Sequence, residues 1–280
     1  MHYNICTLRY DVHSMFYHQK ETSLYALCYT NQLYIYDMLK QTPRVVNLSK
    51  FNNRHTVGQY YSFCALQPYS ANILIASTLR IHLFDPLLST MLYEINFFDN
   101  NNNNMDYGKS IWDIKYDMFG NLYCLSHRGR CISMYDMYTM TRHDILQYKP
   151  DQEFAYFCID SYRNQIIVSD YEQSMLSIYN LYQSVPIHQI QTPGNCSLEV
   201  FVHSKTHDII TSDYNSVYIY DARTYKMYDK ISISDKRTMY SLCVHDYKNE
   251  LYMAHQKDNI QKSTKTHIDC FEYKTPVYGL

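Results

Sequence analysis

Residues 131–136 read Cys131-Ile132-Ser133-Met134-Tyr135-Asp136, a short β-rich run that closes on an aromatic residue followed by an acid. The same close recurs as Tyr36-Asp37, Phe84-Asp85, Tyr179-Asn180, Tyr220-Asp221 and Phe271-Glu272. A second apolar strand sits at a fixed distance upstream. Trp112 precedes Asp136 by 24 positions, Tyr61 precedes Asp85 by 24, Tyr156 precedes Asn180 by 24, and Leu198 precedes Asp221 by 23. Counting 24 back from Asp37 lands on His13, inside Val12-His13-Ser14-Met15-Phe16-Tyr17. A unit that keeps its register while its connections vary marks a repeat architecture, because each repeat buries its apolar face only against its neighbours.

Outward from Tyr135-Asp136, one unit resolves into four strands. Ile111 to Tyr116 is the inner strand, and Asp117 to Asn121 is a turn punctuated by Gly120-Asn121. Leu122 to Ser126 is the second strand, Cys131 to Tyr135 the third, and Asp144 to Tyr148 the outer one. Leu198 to Val202, Asp208 to Ser212 and Val217 to Tyr220 repeat the pattern. No segment shows sustained helical periodicity. The fold class is all-β, a β-propeller formed by one domain over 1–280. Inner strands near Trp112, Tyr156, Leu198, Tyr240 and Tyr278 step by 44, 42, 42 and 38. Val277-Tyr278-Gly279-Leu280 therefore reads as the opening of a seventh blade, and the expectation is seven blades with the last truncated. Tyr240 precedes Glu272 by 32, the extra length falling in a polar loop insertion over 257–266. The run Asn100 to Asn104 reads as a surface loop between blades.

Composition narrows the function. A formal net charge of -2 with 19% charged residues supplies no basic field for a nucleic acid. The 32 tyrosines suit strands, where a ring packs and its hydroxyl stays wet. Nine cysteines form no C-x-x-C pair, and several recur at matching repeat positions, as buried small hydrophobes do. An odd count without a signal peptide indicates a reducing compartment, the cytoplasm or nucleus. No apolar run approaches the ~20 residues that span a bilayer.

The chain carries no G-x-S-x-G, H-E-x-x-H or phosphate-binding Gly-rich motif, and no catalytic residue, cofactor or metal is expected. His203-Ser204-Lys205-Thr206-His207 has metal-like spacing but reads as a solvated turn, because no Cys or carboxylate pair matches it. Asp170 and Asp213 follow second strands at equivalent places, which makes them turn residues.

The ending Val217-Tyr218-Ile219-Tyr220-Asp221-Ala222-Arg223-Thr224 resembles the close of a WD40 repeat, and Leu198 to Thr224 resembles such a repeat along its length. The chain departs from that family in replacing tryptophan by tyrosine or phenylalanine in all six endings and in lacking the opening Gly-His dipeptide. Its one Trp-Asp, Trp112-Asp113, lies in an inner strand. Within the WD family, Ser23 to Leu27 leading to Leu33-Tyr34-Ile35-Tyr36, with Thr238 to Leu242 and Thr275 to Leu280, is similar to F-box/WD-repeat proteins of the dactylin type. That resemblance implies a substrate-recognition propeller of a ubiquitin ligase adaptor whose F-box lies upstream of these residues. Its partners would be ligase subunits and a substrate peptide. Ile159-Asp160 to Tyr179 resembles an NHL repeat, which implies instead a six-bladed propeller binding RNA or protein. Six-bladed lactonases are a third comparison, with Asp170, Asp213 and Glu199 as candidate axial ligands of a divalent cation.

Partner-binding residues are expected on the face of second-to-third turns and blade connections. They are Arg80, His127, Arg128, Arg130, Tyr171 and Tyr214. Arginine forks suit phosphate or carboxylate, and exposed Arg and Tyr are favoured interface anchors. In F-box/WD proteins such arginines hold a phosphorylated degron. Arg80, Arg128 and Arg130 come from adjacent blades.

Overall fold

A computed structural model describes residues 2–18, 21–51, 62–66, 70, 72–77, 80–96, 111–126, 131–139, 141–147, 154–170, 172–193, 199–233, 237–245, 248–257 and 265–273. Strand β1 (His2–Leu8) stands apart from its sequence neighbours. Blade 1 follows as β2 (Val12–His18), β3 (Ser23–Cys28), β4 (Gln32–Asp37) and β5 (Thr42–Asn47). Blade 2 is β6 (Ser62–Leu66), β7 (Ile73–Ala76), β8 (Arg80–Asp85) and β9 (Thr90–Asn96). Blade 3 is β10 (Ile111–Tyr116), β11 (Leu122–Ser126), β12 (Cys131–Asp136) and β13 (Thr141–Gln147). Blade 4 is β14 (Phe154–Asp160), β15 (Gln165–Asp170), β16 (Met175–Asn180) and β17 (His188–Gln191). Blade 5 is β18 (Val200–Val202), β19 (Ile209–Ser212), β20 (Ser216–Tyr220) and β21 (Met227–Ser232). Blade 6 contains β22 (Arg237–His245), β23 (Glu250–Lys257) and β24 (Thr266–Glu272), and β1 completes it.

The propeller therefore has six blades, and the expectation of seven is corrected. β1 pairs antiparallel with β24, placing Tyr3 opposite Cys270 and Leu8 opposite Thr266. The outer strand of blade 6 thus comes from the start of the chain. Inner strands β2 and β22 meet, closing the ring. Closure of this kind pairs the outer edge of β24, which would otherwise be open. Residues Val277 to Leu280, read as a seventh opening, lie outside the described residues.

Among the described residues, buried apolar side chains gather into six clusters, one at each blade interface. Second strands supply the densest contribution: every residue of β3 and β7 is buried. Each fully buried Leu, Ile or Phe contributes roughly 1.5–3 kcal/mol. Inner strands bulge at matching places, the ladder skipping His13, Phe63, Trp112, Ala155 and Tyr240. Trp112-Asp113 thus belongs to an inner-strand bulge, as its position in the repeat implies.

The recurring acid has a local cause. Oδ1 of Asp37 accepts the N–H groups of Leu39 and Lys40, both at 2.9 Å. Asp85, Asp136 and Asp221 receive the N–H groups two and three residues on in the same way. These caps pre-form the third-to-outer turn, a role short polar side chains suit. At Glu272 the neighbouring strand in the sheet is β1, from the start of the chain.

Candidate functional site

Antiparallel order puts the inner-to-second and third-to-outer turns on one face, and the remaining connections on the other. Of the residues singled out from sequence, Arg80 and Tyr214 belong to this second face. Arg80 opens β8, and its Nη1 lies 2.7 Å from Oε1 of Glu94, an ion pair on the blade itself. Tyr214 is exposed in the turn between β19 and β20. Blades 2 and 5 stand opposite each other in a ring of six, so Arg80 and Tyr214 are not brought together. His127, Arg128, Arg130 and Tyr171 lie outside the described residues.

The first face carries a pattern that escapes a residue-by-residue reading. Two positions beyond the third-strand ending of blades 1 to 4 stands a large exposed side chain: Leu39 at 79%, Leu87 at 68%, Tyr138 at 98% and Tyr182. Arg223 holds the same place in blade 5. First turns add Phe119, Tyr162 at 77% and Lys205, each two residues after Asp117, Asp160 or His203. At Leu39, Leu87, Phe119, Tyr138 and Arg223 the cap explains the exposure: drawing the chain around Oδ1 turns the side chain two residues on toward solvent. Blades 1 to 4 thus contribute Leu, Phe and Tyr, while blade 5 contributes Lys and Arg. Cross-blade bonds hold these turns in place. Ser161 Oγ accepts the Met118 N–H at 3.1 Å, Arg163 donates to the Ala222 carbonyl, and Arg44 donates to that of Pro86. Tyr162 also stacks on His207 at 4.9 Å.

His203 and His207 serve this turn. His203 is buried and its Nδ1 accepts the Thr206 N–H at 3.2 Å, while His207 Nδ1 lies 3.2 Å from Asp160. His18 caps the first turn of blade 1 likewise, Nδ1 accepting the Glu21 N–H at 3.0 Å. Asp213 and Asp170 cap second-to-third turns, accepting N–H groups of Asn215, Ser216 and Gln173. Among the described residues no three His, Cys, Asp or Glu are placed to hold a metal ion.

Near the axis the inner strands and their openings carry buried carboxyl groups. Asp113 is fully buried, with Lys115 Nζ at 2.9 Å. Glu199, opening blade 5, receives Ser241 Oγ at 3.1 Å and the Leu242 N–H from blade 6. Burial pushes the Glu199 carboxyl up to about 8, against the lowering effect of Leu242, Lys115 and Ser241. This arrangement ties blades 5 and 6 together at the axis.

A cavity of about 300 Å³ opens where β1 meets blade 1, walled by Tyr3, Tyr17, Tyr36 and Tyr252, with Glu250 and Lys248 among its lining. It adjoins Leu39 of the exposed ring. Sequence reasoning had no access to it, because its walls come from both ends of the chain.

Comparison with known proteins agrees with this architecture. No protein-family model and no curated protein matches the chain by sequence. Among solved structures, the beta-propeller domain of Cps50 (Swd1) from Myceliophteria thermophila matches with a TM-score of 0.61 at 8% identity, covering 96% of this chain and 99% of that one. The likeness is one of fold.

Proposed function

We propose that the chain is a protein-interaction scaffold that holds its partner on the face of first and third-to-outer turns. The observation that carries this reading is the ring of Leu39, Leu87, Tyr138 and Tyr182, exposed at one repeat position in four successive blades. Apolar surface presented this way favours a protein contact. Tyrosine anchors add area at low entropic cost. Its role is positional rather than catalytic, in the cytoplasm or nucleus. The test is quantitative recovery of cross-linked partners by wild type, by a Leu39→Ser/Leu87→Ser/Tyr138→Ser/Tyr182→Ser variant, and by Tyr214→Ser. Partners lost in the fourfold variant and retained by Tyr214→Ser support the reading; the reverse pattern overturns it.

A narrower role, substrate receptor of an F-box/WD-type ubiquitin ligase, rests on the similarity of Ser23 to Tyr36 and Thr238 to Leu242 to that family. Co-purification of cullin-ligase subunits with the full-length product tests it. The six-blade count favours a second reading, an NHL-type propeller that binds RNA or protein. Retention of single-stranded RNA on a filter, abolished by changes at exposed tyrosines, would select it.

A further inference from the structure

The cavity beside Leu39 has a specific chemistry. Glu250 is only 8% exposed, yet among the described residues its side chain has a single hydrogen-bond partner: its Oε2 accepts the Tyr252 hydroxyl at 2.9 Å. Glu250 lines a cavity of about 300 Å³, and among the described residues no hydrogen bond to its Oε1 is found. A carboxylate has room for about four donors, and a buried one under-supplied with them favours a donor-rich, cationic ligand. The walls suit the same ligand. Tyr17 stacks on Tyr252 at 5.4 Å, whereas Tyr3 and Tyr36 stack on no other ring among the described residues. Uncovered tyrosine faces attract cations and pack against alkyl stems.

Alternative occupants fit less well. A purely apolar group would strip water from Glu250 without replacing it, which costs free energy. An anion would be repelled by the same carboxylate. A guanidinium offers a planar fork of donors to the carboxylate and a flat face to tyrosine, and its weak hydration makes burial cheaper than for an ammonium.

We infer that the cavity receives an arginine side chain of the bound partner, its guanidinium on Glu250 Oε1 and its stem along Tyr3 and Tyr36. This deepens the scaffold reading and rests on it for the source of the arginine. Lys248 is exposed at the same cavity and makes no ion pair among the described residues, so it opposes a cationic ligand.

The test uses the whole chain and N-acetyl-arginine methylamide, followed by saturation-transfer NMR. Saturable binding at millimolar concentration is expected, with the citrulline analogue, matched in shape but uncharged, weaker by about tenfold. Glu250→Gln keeps an oxygen for the Tyr252 hydroxyl and is expected to lose about tenfold in affinity. Tyr36→Leu keeps the apolar area and is expected to lose about threefold. Lys248→Ala, which removes a like charge, is expected to gain about threefold. The absence of saturable binding by wild type, unchanged binding by Glu250→Gln, or weaker binding by Lys248→Ala would each overturn the assignment. Because no partner is present, such a failure is separate from the scaffold reading, which partner recovery decides.

Discussion

His2 and Asp269, 267 positions apart, are joined by a 2.8 Å contact between Nε2 and Oδ2 that fastens the first strand to the last blade. The same oxygen receives Nε2 of the buried His255 at 2.8 Å, and Oδ1 receives Asn4 Nδ2 at 2.7 Å. One carboxylate thus organises the closure of the ring. Asp269→Ala leaves a buried histidine without its acceptor and is expected to cost roughly 3 kcal/mol in urea unfolding. His2→Ala removes a half-exposed partner and should cost below about 1 kcal/mol. Equal costs for the two variants would contradict the central role of Asp269.

The closure should also depend on acid. Burial opposes ionisation of Asp269, but hydrogen bonds from His255, Asn4 and His2 outweigh it and hold the carboxyl well below its usual value of 3.8. A lowered folded value gives stability that is fully present above the unfolded value and is lost as pH falls through the folded one. Asp269→Asn is therefore expected to narrow its deficit relative to wild type as pH drops below 3.8, read from urea midpoints in steps down to pH 2. A deficit constant over that range would remove the carboxylate from the account.

Glu199 gives the opposite slope. Its carboxyl is raised by burial from 4.5 to about 8, so the folded state holds a proton that the unfolded state releases. Stability from this group is complete below 4.5 and falls as pH rises toward 8, at about 1.4 kcal/mol per pH unit. Glu199→Gln keeps an acceptor for the Leu242 N–H and loses the ionisable group. Its melting temperature should exceed that of wild type at pH 8 and approach it at pH 5. Parallel pH profiles for the two proteins would sink the assignment.

Asp117 tests the turn caps. Oδ1 accepts the N–H groups of Phe119 and Asn121 at 2.9 and 2.8 Å, and Oδ2 accepts Asn121 Nδ2 at 2.8 Å and the Tyr123 hydroxyl at 3.2 Å. Asp117→Ala is expected to cost about 2–3 kcal/mol in chemical denaturation. A loss under half a kcal/mol would show that water replaces the cap.

These caps also explain what the sequence discloses. Tyr135-Asp136 and its equivalents are legible because an aspartate cap acts over three residues, so each repeat must encode its own. The strands of blade 3 follow from the same local register. The blade count is not legible that way, because the partner of β24 is β1, which no local spacing connects to Phe271-Glu272. The same non-locality hides the cavity between Tyr3 and Tyr252. Arg80 shows the converse: its type suggests a ligand-binding fork, but the opposing Glu94 on β9 takes the guanidinium. Tyr138 and Leu39 were present as a periodic signal two positions past each cap, yet only the fold shows that both face solvent.

Turn geometry supplies the last prediction. Ten non-glycine residues among those described have positive φ, including Gln41 at 54° and Ser89 at 54°, both just before an outer strand. An L-residue in the left-handed region carries a steric cost of roughly 1–2 kcal/mol, which glycine avoids at the expense of greater freedom when unfolded. With only 6 glycines in 280 residues, the chain meets this cost at many turns. Gln41 donates its own N–H to the Asp37 carbonyl at 2.8 Å, a bond that glycine keeps. Gln41→Gly and Ser89→Gly are each expected to stabilise the propeller by about 0.5–1 kcal/mol, and together by nearly the sum, because they lie in different blades. Thermal or urea unfolding of the two single variants and the double variant measures this directly. Destabilisation by both singles would mean that the side chains of Gln41 and Ser89 hold their turns in the left-handed region rather than merely tolerating it.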